Sequence, residues 1–73
     1  MIYRIKLSTD TGRTFYIDTH GGITGLFAKQ FSEEEESKKY CQEHVLNTFS
    51  GYKVFIECQQ GRLIDPMILI PMN

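Results

Sequence analysis

Apolar and polar positions alternate through "IYRIKLS" at the start of the chain. Tyr3, Ile5 and Leu7 fall on one side, Arg4 and Lys6 on the other. A period of two predicts a strand with one wetted face. "TDTGR" then supplies turn chemistry at Asp10 and Gly12, and "TFYIDT" resumes the alternation with Phe15 and Ile17 against Tyr16 and Asp18. Residues 2–19 therefore read as a β-hairpin. The period next lengthens to four: Ser37, Cys41, Val45 and Phe49 make one narrow stripe, flanked by Tyr40, His44 and Leu46. This predicts a helix over about 32–50 with one face on the sheet. Ser32 and Glu35 have capping-box spacing, and Gly51 suits the C-terminal stop. "YKVFIEC" returns to period two, with Tyr52, Val54, Ile56 and Cys58 on one face and Lys53, Phe55 and Glu57 on the other. After the turn "QQGR", "LIDPMILIPM" predicts a fourth strand, bounded or interrupted by Pro66 and Pro71.

The expected fold is α+β in the order β-β-α-β-β, a single compact domain over 1–73. It has one four-stranded antiparallel sheet and a single helix packed on one face. One helix leaves the other face uncovered. Arg4, Lys6, Tyr16, Lys53 and Phe55 are expected there, with Asp18 and Glu57 among them. Met67, Ile68, Leu69 and Ile70 are apolar on both faces, which suits a central strand or one that pairs across a dimer.

Composition narrows the function classes. The 73 residues contain 41% hydrophobic and 23% charged residues, which suits a globular chain with a modest core. A homodimer or a bound partner would add to that core. The net charge of -1 lacks the basic excess of most nucleic-acid binders. No apolar run reaches the ~20 residues of a membrane span. Charges interrupt the N-terminal apolar residues, unlike a signal peptide. The expected location is cytoplasmic, with Cys41 and Cys58 reduced.

Four groupings of residues could carry chemistry. Gly22-Ile23-Thr24-Gly25 has the G-x-x-G spacing of the KH nucleic-acid clamp, which it resembles in those four positions. No helix precedes it, and Lys29 is misplaced for a Walker loop, so the segment reads as a bend between strand and helix. Ile23, Leu26 and Phe27 make that bend too apolar for a spacer; they either tuck under the helix or grip a partner. Asp10-Thr11-Gly12 resembles the catalytic triplet of retropepsin-like aspartic proteases over three residues, but flanking alternation explains it as a hairpin turn. Cys41, His44, Cys58 and His20 are residue types that ligate zinc, and Cys41-x-x-His44 places two of them one helical turn apart. A second close pair is missing, so two buried cysteines and two surface histidines are expected, with no metal and no cofactor. Cys41 and His44 could also form a nucleophile–base pair, but no orienting group or oxyanion site accompanies them.

These observations predict a non-enzyme that binds or inhibits another protein. The candidate contacts are Tyr16, Phe55, Arg4, Lys6 and Lys53, together with the acidic helix start Glu33, Glu34, Glu35 and Glu36. In size and style, though through no particular residue, the chain resembles accessory proteins of phages and mobile elements, including anti-CRISPR-type inhibitors. The alternative is a nucleic-acid module that stacks bases on Tyr16 and Phe55 and contacts phosphates through Arg4, Lys6 and Lys53.

Overall fold

The computed structural model describes residues 1–66. Residues 67–73 lie outside it, and with them the apolar run expected to form most of the last strand.

The alternating segments form strands as their pattern predicts. β1 (Tyr3–Ser8) is the centre of an antiparallel sheet, paired on one side with β2 (Thr14–Ile17). On its other side it pairs with β4 (Lys53–Cys58) over its full length, Tyr3 opposite Cys58 and Ser8 opposite Lys53. Ile5, Leu7, Ile17, Ile56 and Cys58 are fully buried on one face, as their alternation requires. Asp10-Thr11-Gly12 lies in the β1–β2 turn, closed by Thr9 N–H to Arg13 O (2.9 Å) and Gly12 N–H to Thr9 O (3.1 Å).

Among the described residues the sheet has five strands, one more than the pattern predicts, in the order β3-β2-β1-β4-β5. The extra strand, β3 (Ile23–Thr24), comes from the glycine-rich segment expected to be a bend. A tight second hairpin creates it. The Asp18 carboxylate accepts the N–H groups of His20 (2.8 Å) and Gly22 (2.9 Å), an Asx-type turn. Gly21 takes φ +83°, a backbone that favours glycine, and a Cβ at Gly22 would crowd Asp18 Oδ2 at 3.2 Å. β5 (Leu63–Ile64) pairs with the end of β4; of the predicted last strand, Leu63 and Ile64 are strand, whereas Asp65 and Pro66 are not.

The chain then crosses to the helix through an isolated bridge. Tyr3 and Phe31 exchange two backbone hydrogen bonds of 2.8 and 2.9 Å, which draws Phe31 into the core. This bridge corrects the expected helix start. Two residues beyond the bridge Glu33 is still extended (φ -128°, ψ 141°), so α1 is Glu34–Tyr40 and no side chain caps it. Ser32 is exposed and forms no capping box.

The helix also ends before the expected boundary. α1 continues as a π-helical segment, Cys41–Val45, in which Leu46 N–H reaches Cys41 O at 3.0 Å. A turn at Thr48 and Phe49 then closes onto Val45 O, well before Gly51. The stripe itself explains the wide turn. Residues four apart drift by roughly 40° per step on a 3.6-residue helix. An i→i+5 segment turns less per residue and offsets that drift, keeping Ser37, Cys41 and Val45 together against the sheet, all three buried. Ser37 is a polar member of this core, and its hydroxyl donates to Glu34 O at 2.7 Å. No helix among the described residues is long and apolar enough to cross a membrane.

Candidate functional site: the uncovered sheet face

The face opposite the helix carries the even-numbered side chains of β1 and their neighbours. Register places Lys6 between Tyr16 and Phe55, and Arg4 opposite Glu57. Thr24 lies opposite Tyr16, and Leu63 opposite Glu57, so the face runs from β3 to β5. Four of the five residues predicted for this face, Arg4, Lys6, Tyr16 and Phe55, meet across β1 and its two neighbours. Lys53 lies at its far end, opposite Ser8, and is exposed.

Glu57 organises the centre, which the residue pattern did not foretell. It is only 8% exposed. Its Oε1 accepts Arg4 Nη2–H and the Tyr16 phenol, both at 2.8 Å, and Lys6 Nζ donates to Oε2 at 3.4 Å. Burial pushes the Glu57 carboxyl up, but the Tyr16 and Lys6 hydrogen bonds and the Lys6 and Arg4 charges outweigh it and hold it below the usual range. Tyr16 moves the opposite way: burial, then the Glu57 carboxylate, raise its phenol. Arg4 also lies over the Tyr16 ring, 5.0 Å from its centroid. The signal in the sequence was a pair of opposite charges, Arg4 and Glu57, on matching phases of two strands.

Apolar residues flank this polar centre. Leu26 and Phe27 are 84% and 79% exposed, so neither tucks under the helix. Their N–H groups donate to the Thr24 hydroxyl at 3.1 and 3.4 Å, so a defined turn holds the pair out. Ile23 is also exposed at the sheet edge, and Leu63 is 47% exposed beyond Glu57.

The acidic helix start does not join this face. Glu33 to Glu36 belong to the layer on the opposite side of the sheet; Glu34 pairs with Lys38 at 3.1 Å, and Glu33, Glu35 and Glu36 are exposed. The cysteines and histidines are likewise kept apart. Cys41 and Cys58 are buried, whereas His20 is exposed in the β2–β3 turn and His44 lies outside against Tyr40, ring centroids 4.9 Å apart. No group of three His, Cys, Asp or Glu among the described residues could hold a metal ion.

Burial pushes the Cys41 thiol up to about 11, the reverse of an activated nucleophile. At Cys58 burial also pushes upward, but the N–H groups of Gln60 and Arg62 and the Arg62 side chain outweigh it and lower the thiol.

No protein family, curated protein sequence or solved structure matches this chain.

Proposed function

We propose that this chain is a small non-enzymatic protein-binding domain whose uncovered sheet face, with the adjoining Leu26–Phe27 turn, docks onto another protein. The observation that carries this reading is the exposure of Leu26 and Phe27 on a turn pinned to Thr24, next to Tyr16. Two adjacent large apolar side chains on a turn whose backbone is already fixed spare the cost of ordering that backbone on docking, as suits an interface anchor. Polar groups around them, already ordered by Glu57, make a rim that needs little rearrangement.

The same centre favours protein over nucleic acid. Glu57 partly neutralises Arg4 and Lys6, and Arg4 occupies one side of the Tyr16 ring on which a base would stack. Site-specific photo-crosslinking in host extract tests the reading. A crosslinker at Phe27 or Phe55 is expected to capture one discrete protein, and one at Glu43 on the helix none. The Leu26→Ala/Phe27→Ala variant should lose capture at Phe55 without a change in melting temperature. Capture at Glu43 alone sinks the proposal, as does a salt-sensitive complex with oligonucleotide instead of protein.

A further inference from the structure

We propose that the end of the uncovered face near the N-terminus is a receptor pocket for an acidic side chain of the partner protein; the proposal rests on the protein-binding reading above. A pocket of about 160 Å³ is lined by Ile2, Arg4, Gln30 and Gln59. Three separate segments build it. Arg4 comes from β1, and Ile2 from the residue just before that strand. Gln59 follows Cys58, the partner of Tyr3, and Gln30 precedes Phe31, the other partner of Tyr3, so both flank β1 on Arg4's side.

The lining chemistry specifies the occupant. A guanidinium has five N–H donors in a fixed fork, and the bond to Glu57 is made through Nη2 of Arg4. Gln30 and Gln59 add carboxamide donors, and Ile2 adds an apolar wall. The pocket lining contains no acid. Around Glu57, Arg4 and Lys6 together leave one net positive charge beside the pocket. A carboxylate matches the fork in shape and carries one charge. Any anion on this fork meets the charge of Glu57, bonded to the same guanidinium, and a phosphate, with more charge, is repelled more than a carboxylate.

The test is a titration of the isotope-labelled chain with acetyl-Leu-Glu-Leu amide, followed by NMR at Arg4 Nε–H and the Gln30 and Gln59 carboxamides. Saturable shifts at all three are expected, with binding at least about tenfold weaker for acetyl-Leu-Gln-Leu amide. Gln59→Glu, an exposed position, should abolish the shifts and leave the melting temperature unchanged. The proposal falls if no shift appears by about 10 mM peptide, if the Gln peptide binds as well, or if Gln59→Glu binds like wild type. It also falls if inorganic phosphate or a thymidine oligonucleotide shifts these resonances more strongly than the Glu peptide. A partner captured at Phe27 without peptide binding here would remove the pocket and leave the interface; failure of both would remove the interface as well.

Discussion

The Glu57 carboxylate binds a guanidinium, an ammonium and a phenol that come from three strands once its own is counted. Replacing it with Gln keeps the shape but removes the charge from every bond. Arg4 and Lys6 retain water access, which reduces the effect, so Glu57→Gln should cost about 1–2 kcal/mol in urea unfolding. The pH dependence follows from the lowered carboxyl. Above the ordinary value of 4.5 the stabilisation is fully present, and it is lost as pH falls from there through the lower folded value. Urea midpoints measured downward from neutral pH should therefore fall more steeply for wild type than for Glu57→Gln. Tyr16 supplies the opposite limb: its raised phenol stabilises below 10.0, and that contribution is lost as pH rises through the folded value. Neither effect is apparent from either residue alone, because Glu57 lies 53 positions from Arg4 and 41 from Tyr16. At the same scale, Gly21→Ala should cost about 1 kcal/mol or more through its left-handed backbone.

At the scale of elements, β-strands were the most legible feature. Tyr3, Ile5 and Leu7 and then Val54, Ile56 and Cys58 face the core as period two requires, because neighbouring side chains on a pleated strand point oppositely whatever the strand pairs with. The helix start was less legible. Ser32 and Glu35 have the spacing of a cap, but Phe31 is held extended by its bridge to Tyr3, a contact 28 positions away in sequence. β3 was missed because two residues do not establish a period, and its pairing depends on the Asp18 turn.

The helix also secures the end of the sheet. Gln42 Nε2 donates to Pro66 O at 2.8 Å, just beyond β5. Gln42→Ala should remove about 1 kcal/mol and loosen β5 first. Hydrogen exchange should then accelerate at Ile64 before any change at Ile5. The raised and buried Cys41 thiol should stay unmodified by iodoacetamide at neutral pH in the native protein and react once urea unfolds it. Modification of Cys41 in the folded state would contradict the packing of the π-helical segment.

At the scale of the molecule, the described residues leave one side of the sheet apolar and covered and the other polar and open. Ile5, Leu7, Ile17, Phe31, Cys41 and Val45 form the core between sheet and helix. In a chain of 73 residues each core member counts. Ile5→Ala on the central strand should cost about 2–5 kcal/mol, a large part of the ~5 kcal/mol expected of so short a domain. Circular dichroism should find this variant largely unfolded at physiological temperature. The open face has the contrasting expectation, since Leu26→Ala and Phe27→Ala remove side chains that are already in water. Their melting curves should overlay the wild type.

The sequence by itself determined which side chains share a face of each strand, where the helix stripe runs, and which strand residues point away from the helix. These are consequences of local periodicity, set by backbone geometry within a few residues. Tertiary structure decided the features that the proposed function uses. Strand register brought Glu57 under Arg4, Lys6 and Tyr16, the Phe31 bridge placed Gln30 beside Arg4, and the Asp18 turn with the Thr24 hydroxyl left Leu26 and Phe27 exposed. Each depends on pairing between segments distant along the chain or on a turn with no period to read. Such pairing is selected by burial of the whole core, not by any one stretch of residues.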